Sequence, residues 1–203
     1  GKSSTLGAMV NHINRNFHKH IITLEDPIEY QYTDAAGLIT QREINTDVSS
    51  FDQALRSALR ESPDVIVIGE MRDLSTVQTA ISAALTGHLV LTTTHTADTI
   101  QAVERIIDLF PEHQRAQVAS DLSMALVGIA AQRLLPRKDG AGMIPALELL
   151  VGTPTVKRLI HERNFNDLEQ AINRGQEDGM ITFNRAIFQL FADEPLETGT
   201  VGW

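Results

Sequence analysis

The sequence predicts an α/β fold in which a mostly parallel sheet is covered by helices and followed by a small helical subdomain. Three observations carry this. Val65-Ile66-Val67-Ile68 is an unbroken apolar run, as expected of a strand buried on both faces. Strand-like and helix-like segments alternate from residue 1 to about residue 110. From Thr153 onward the pattern becomes helical alone.

Leu6, Met9, Val10, Ile13 and Phe17 recur at helical spacing directly after Gly1-Lys2-Ser3. Ile21-Ile22-Thr23-Leu24 reads as a buried strand ending in Glu25-Asp26-Pro27. Residues 30–32 and 38–44 flank Asp34-Ala35-Ala36-Gly37, the signature of a hairpin. Ser50 with Gln53 resembles a capping box for a helix carrying Leu55 and Leu59, which Pro63 ends. Ser75 with Gln78 is a second such box, ahead of Val77, Ala80, Ile81, Ala84 and Leu85, with Gly87 as the stop. Leu89-Val90-Leu91-Thr92 is the next strand, and Ile100, Val103 and Ile107 mark the helix after it.

Beyond Pro111, a long helix is expected to carry Val118, Leu122, Ala125, Leu126 and Ile129. A hairpin turning at Asp139-Gly140-Ala141-Gly142 links 132–135 to 144–149. Thr153-Pro154 is a cap and first turn, and Thr182 is expected to cap a last helix through Phe191. The tail from Asp193 is acidic and expected to fray. The domain reading is a core over 1–150 and a helical subdomain with its tail over 151–203.

Composition excludes several function classes. The 203 residues contain no cysteine, so disulfide scaffolds, thiolate zinc sites and cysteine catalysis are out. A net charge of −9 weighs against nucleic-acid binding, which needs a basic patch. No apolar run approaches the roughly 18–20 residues of a membrane span. The chain opens without an initiator Met or a secretory signal pattern, and is expected to be a piece of a longer protein.

Gly1-Lys2-Ser3 ahead of an amphipathic helix matches the end of a phosphate-binding loop, G-x-x-x-x-G-K-[ST]. There the glycine turns backbone N–H groups toward phosphate, Lys2 reaches the β- and γ-phosphates, and Ser3 ligates Mg²⁺. Alone, Gly-Lys-Ser is common in surface turns; the strand tips behind it make the case. Glu70 follows the buried run ending at Ile68, where such folds hold the Mg²⁺-bound water shell. Glu25, Asp26 and Glu29 offer three carboxylates at a second tip, any of which could orient the attacking water. His95 stands past a third tip, able to polarise a γ-phosphate. Parallel sheets place their ligands at these carboxyl ends. Arg42, Arg56, Arg60, Arg72, Arg105 and Arg133 are all candidate phosphate contacts or arginine fingers, or plain surface ion-pair partners.

At these residues the sequence resembles the secretion and pilus motor ATPase superfamily. Glu25-Asp26-Pro27-Ile28-Glu29 is similar to its Asp box, Ile68-Gly69-Glu70-Met71-Arg72-Asp73 to its Walker B segment, and Thr93-Thr94-His95-Thr96 to its His box. Gln41-Arg42-Glu43, the segment Ala54-Leu55-Arg56-Ser57-Ala58-Leu59-Arg60-Glu61, and Thr86-Gly87-His88-Leu89 also match. The nearest members are the type IV pilus retraction ATPases of the PilT/PilU type. The resemblance implies a RecA-like P-loop NTPase core and ATP hydrolysis with Mg²⁺. It implies Glu29 as the base, Glu70 on the Mg²⁺ side through water, and His95 near the γ-phosphate. Gly1, Lys2, Ser3 and Ser4 would bind nucleotide, with Ser3 and Glu70 on the metal. Arg42 and Arg72 would serve as phosphate or inter-subunit arginines.

The same resemblance implies a cytoplasmic homohexamer at the inner-membrane base of the pilus. It would be peripheral to the membrane, engage an inner-membrane platform protein and bind no nucleic acid. The family's PAS-like N-terminal domain and the first half of the phosphate loop are not in this sequence, so the chain on its own is expected to bind ATP weakly. Lack of the tetracysteine zinc module of extension and type II secretion relatives favours retraction. Thr155-Val156-Lys157-Arg158-Leu159-Ile160 keeps only the final Leu-Ile of the retraction segment Ala-Ile-Arg-Asn-Leu-Ile, so an accessory retraction motor also fits. The competing readings are an extension or type II secretion ATPase, a RecA-like DNA-dependent ATPase, and a ring scaffold that binds nucleotide without turnover.

Overall fold

A computed structural model describes residues 1–137 and 142–193. It divides into two compact units, one of Lys2–His95 and one of Gly1 with the described residues from Thr96 onward.

The first unit contains α1 (Lys2–Asn16), β1 (His20–Glu25), β2 (Leu38–Glu43), α2 (Phe51–Ala58), β3 (Val65–Ile68), α3 (Leu74–Leu85) and β4 (Leu89–Thr92). The four strands are all parallel, in the order β2-β1-β3-β4. The predicted parallel, helix-covered sheet is therefore present. Position in the sheet explains composition: β3 lies between two neighbours and is buried throughout. The edge strands β2 and β4 are only partly covered.

Side chains alternate across a strand, so each strand feeds both faces. On one face, Ile22, Leu24, Ile66 and Ile68 meet Ala54, Leu55 and Ala58 of α2 and Ala80 and Ala83 of α3. The alanines let these helices lie close to the sheet. On the other face, Ile21, Val65 and Val67 meet Val10 of α1, with Leu6, Ile13, Tyr32, Ile39 and Leu91 around them.

Helix boundaries follow the local chemistry. Ser50 caps α2 by accepting from the Gln53 N–H, as its spacing predicts. The helix tightens into a 3-10 turn over Leu59–Glu61, and Ser62 turns left-handed at φ 52° ahead of Pro63. The cap of α3 is Asp73, not Ser75. Asp73 accepts from the Thr76 N–H at 2.9 Å, the Thr76 hydroxyl at 2.7 Å and the Ser75 hydroxyl at 2.7 Å. A carboxylate with two oxygens outcompetes a serine two residues on. Gly87, at φ +100°, follows the end of α3 as expected.

The hairpin expected around Asp34–Gly37 positions does not form. β2 pairs parallel with β1, and residues 26–37 are the connection between them. Its backbone finds partners elsewhere. Asn14, buried on α1, donates to the Thr33 carbonyl at 2.8 Å, and its own backbone carbonyl accepts from Ala36 and Gly37.

The second unit contains α4 (Thr99–Asp108), α5 (Glu112–Ala125), β5 (Gly128–Pro136), β6 (Met143–Val151), α6 (Pro154–His161), α7 (Leu168–Arg174) and α8 (Phe183–Asp193). α5 is shorter than predicted. Leu126 turns extended at ψ 123°, and Ile129 belongs to β5, opposite Leu150. β5 and β6 are antiparallel, as predicted; of their turn, only Gly142 (φ +113°) lies within the described residues. Thr153 caps α6 with Pro154 in its first turn. Thr182 precedes α8, and the tail after Asp193 lies outside the described residues. Glu148, 9% exposed, accepts from the N–H and hydroxyl of Thr99 at 2.9 and 2.8 Å and from the Phe183 N–H at 3.4 Å. One carboxylate thus serves the N-termini of α4 and α8, where helix dipoles favour negative charge. The domain boundary expected at residue 150 falls inside this unit, near the end of β6.

Candidate active site

The register of the first unit brings the carboxyl ends of β1, β3 and β4 to one edge, beside the N-terminus of α1. A cavity of about 270 Å³ opens there, and its wall includes Lys2, Ser3, Asp26, Glu29, Glu70, Arg72 and His95. The first N–H groups of α1 have no partner within the helix and suit an anion. A larger hollow of about 370 Å³ in the second unit sets Arg158 and Arg174 against Asp167 and Asp178. Its wall carries none of the residues singled out for chemistry, so the smaller cavity is the candidate site.

The polar groups form a connected chain. The Lys2 Nζ donates to the Thr94 carbonyl at 3.0 Å and lies 2.9 Å from His95 Nδ1. An ammonium can only donate, so Nδ1 accepts and the ring proton sits on Nε2. Nε2 in turn is 3.2 Å from Glu70 Oε1 and donates to it. Glu70 Oε2 accepts from Arg72 Nε at 2.8 Å and Nη2 at 2.7 Å. The Arg72 hydrogen bond holds the Glu70 carboxyl below the usual range; burial opposes this, and His95 adds to it.

The connection after β1 folds back on α1. Ser3 Oγ donates to Glu29 Oε1 at 2.9 Å, and Ser4 Oγ lies 3.2 Å from the Tyr30 hydroxyl. Gly7 permits this approach: a Cβ there would stand 3.2 Å from the Tyr32 hydroxyl and 3.3 Å from the Tyr30 ring. The Tyr32 phenol is pushed up to about 12 by burial, then by Glu25 and Tyr30. Glu25 faces inward and accepts from Thr23 Oγ1 at 2.7 Å and Gln41 Nε2 at 3.2 Å.

Lys2, Ser3, Glu29, Glu70, Arg72 and His95 thus share one cavity. Gly1 is exposed just ahead of α1, and Ser4 reaches only toward Tyr30. Arg42 is not brought to the cavity. It stands opposite Leu24, on the α2 face of the sheet, and holds both oxygens of Glu61 at 2.7 and 2.8 Å. Arg56 pairs with Asp52, and Arg133 lies 4.1 Å from the centre of the Phe183 ring.

Among the described residues, no group of three or more His, Asp or Glu side chains is arranged to cage a metal. Mg²⁺ does not need one. It keeps several waters and takes one or two protein oxygens plus phosphate. The Ser3 hydroxyl and the Glu70 carboxylate are donors of that hard type, so the residues present fit the ion. Sequence reasoning named Gln41 and Glu43 only as part of a matching run, without a role, and passed over Asn14; all three secure the backbone of the connection. Their signal was available: Gln41 and Glu43 are polar residues two apart on one strand, hence on one face.

The chain is similar to known proteins of one family. The family described as "Type II/IV secretion system protein" matches residues 1–142. The "Type IV pilus retractation ATPase PilT" of Pseudomonas aeruginosa is 43% identical over 192 residues, covering 95% of this chain and 56% of that protein. The "Type IV pilus ATPase PilU" of the same organism is 44% identical over 191 residues, covering 94% of this chain and 50% of that protein. A crystal structure of the pilus retraction motor PilT with bound ADP superposes with a TM-score of 0.88 at 46% identity, covering 98% of this chain and 56% of that one. The chain spans about half the length of the curated relatives it matches.

Proposed function

The chain belongs to the type II/IV secretion system protein family, and on that premise we propose that it is the ATP-hydrolysing half of a type IV pilus retraction motor. The observation that carries this reading is the arrangement around the start of α1. Lys2 and Ser3 are each hydrogen-bonded to a strand-tip group: Lys2 to the segment holding His95, and Ser3 to Glu29. The crystal structure of the PilT motor with bound ADP supports nucleotide as the ligand.

In this reading Gly1, Lys2, Ser3 and Ser4 receive the phosphates. The Lys2 ammonium exchanges the Thr94 carbonyl and His95 for phosphate oxygens. Mg²⁺, when bound with nucleotide, neutralises charge developing on the phosphate oxygens; Ser3 and Glu70 are the residues that would hold it, Glu70 through water. Glu29 orients the attacking water and accepts its proton as the new oxygen–phosphorus bond forms and the bond to the bridging oxygen breaks. His95 stands by the γ-phosphate, and Arg72 fixes the Glu70 carboxylate.

The motor is a cytoplasmic homohexamer at the inner-membrane base of the pilus, acting on the platform protein there. Kinship with pilus ATPases supports this. In this reading the ATPase core runs over 1–150, across parts of both compact units, and the helical subdomain with its tail over 151–203. Among the described residues, no helix is long and apolar enough to cross a membrane. Glu29→Gln and Glu70→Gln in the full-length protein should each lower turnover about tenfold or more while retaining ATP binding. ATPase activity per subunit should rise with concentration as rings form, and single-stranded DNA should not stimulate it. Unchanged kcat in both variants would overturn the site, and stimulation by DNA would favour a recombinase.

A further inference from the structure

We propose that Gln41 and Glu43 form a clamp that positions Glu29, a role that rests on Glu29 acting on the water. Both side chains leave the same face of β2, the face that carries Ile39 toward α1. The connection holding Glu29 passes them without strand pairing. The two side chains supply what a strand would have supplied. The Ile28 N–H donates to Glu43 Oε2 at 3.0 Å. The Tyr30 carbonyl accepts from Gln41 Nε2 at 2.8 Å, and the Tyr32 N–H donates to Gln41 Oε1 at 2.9 Å. Residues on both sides of Glu29 are therefore fixed, leaving its side chain to reach Ser3.

The clamp is itself held. The second Gln41 Nε2 bond goes to Glu25 Oε1 at 3.2 Å, which assigns the amide: nitrogen toward two acceptors, oxygen toward an N–H. Glu43 Oε1 accepts from Thr46 Oγ1 at 2.9 Å, and the turn after β2 closes on Glu43 through the Asp47 N–H at 2.9 Å. Arg42, between them, points to the opposite face. The Gln-Arg-Glu run is thus two residues on the α1 face flanking one that is ion-paired on the opposite face. A supporting layer of this kind keeps a reacting group within a fraction of an ångström of its working position.

The test uses the full-length protein, with kcat, KM and single-turnover rates for ATP. Gln41→Leu keeps volume but removes three hydrogen bonds. It should lower kcat about tenfold or more and move KM less than about threefold, since displacement by an ångström costs chemistry more than binding. Repeated in a Glu29→Gln background, Gln41→Leu should cost less than about twofold, because the group it positions is gone. Glu43→Ala should lower kcat, and Glu43→Gln, which retains an oxygen for Ile28, should restore it. The Glu43 pair decides the matter if Gln41→Leu does not fold. Wild-type kcat in Gln41→Leu and Glu43→Ala would overturn the clamp, as would an equal loss with and without Glu29. Wild-type turnover in Glu29→Gln alone would instead overturn the base assignment beneath it.

Discussion

The two faces of the four-stranded sheet are made by alternate residues of the same strands, yet they do opposite things. Toward α2 and α3, Ile22, Leu24, Ile66 and Ile68 are each 0% exposed and meet only apolar neighbours in their cluster. Toward α1 the apolar layer covers only part of the sheet. Ile21, Val65 and Val67 are buried there, but Thr23, Glu25, Gln41 and Glu43 take over toward the carboxyl ends. Burying a charge is costly unless it is paired, so a site rich in carboxylates needs an open face. The closed face supplies the stability that the open one cannot.

The largest effect expected from this division is on the closed face. Ile66→Ala would leave a void in a layer already at full packing and should destabilise by about 2–5 kcal/mol. Denaturant melts check the loss, and nucleotide affinity measured well below the melting temperature should not change. A comparable loss of affinity would show that the two faces are not separable.

The closed face was also the more legible in sequence. Val65-Ile66-Val67-Ile68 has no reading other than a buried segment, and its neighbours follow from strand–helix alternation. Lys2, Ser3, Glu70 and His95 were legible for a different reason: each stands at an element's end, where ligands bind parallel sheets. Residues 26–37 misled. Two tyrosines before Asp34-Ala35-Ala36-Gly37 imitate a hairpin strand. What prevents one is side-chain competition: the Gln41 amide and the Asn14 side chain take the backbone groups that a hairpin would have paired. Arg42 attracted notice as a cation in a family-like run. Strand parity assigns it to the far face and its neighbours to the site, and parity carries that meaning only once the faces are known.

Thr92 departs from the apolar pattern of the closed face in a different way from Arg42, whose charge is paired with Glu61. It pairs in register with Ile68, and its hydroxyl is buried without a hydrogen-bond partner among the described residues. An unsatisfied buried hydroxyl costs about 1–3 kcal/mol. Thr92→Val keeps the shape and removes the hydroxyl, so it should stabilise, by about 1 kcal/mol after the methyl's own adjustment. A raised denaturation midpoint at unchanged m-value would confirm that the closed face has no use for the Thr92 hydroxyl. A lowered midpoint would mean that the hydroxyl has a partner in solution, and the contrast between the faces would weaken.

The smallest effect belongs to the open face, where charge pairs stand partly in water. Arg72 is 66% exposed and Glu70 19%, so their attraction is screened. Its signature is pH dependence. The Glu70 carboxyl titrates below its ordinary value, chiefly through Arg72. A carboxyl whose folded pKa is depressed contributes stability that is fully present above the unfolded value and lost as pH falls through the folded one. Arg72→Ala removes the main cause, so Glu70 should titrate closer to the usual glutamate range. The wild-type protein should then hold a small stability advantage near neutrality, shrinking below about pH 4 as the carboxyl protonates in either protein. Added salt should shrink the advantage as well, because the guanidinium lies mostly in solvent. Melts of both proteins across that pH range, at low and high ionic strength, check it. A difference unmoved by pH and salt would assign Arg72 to packing instead of charge, and the open face would then be less electrostatic than its residues suggest.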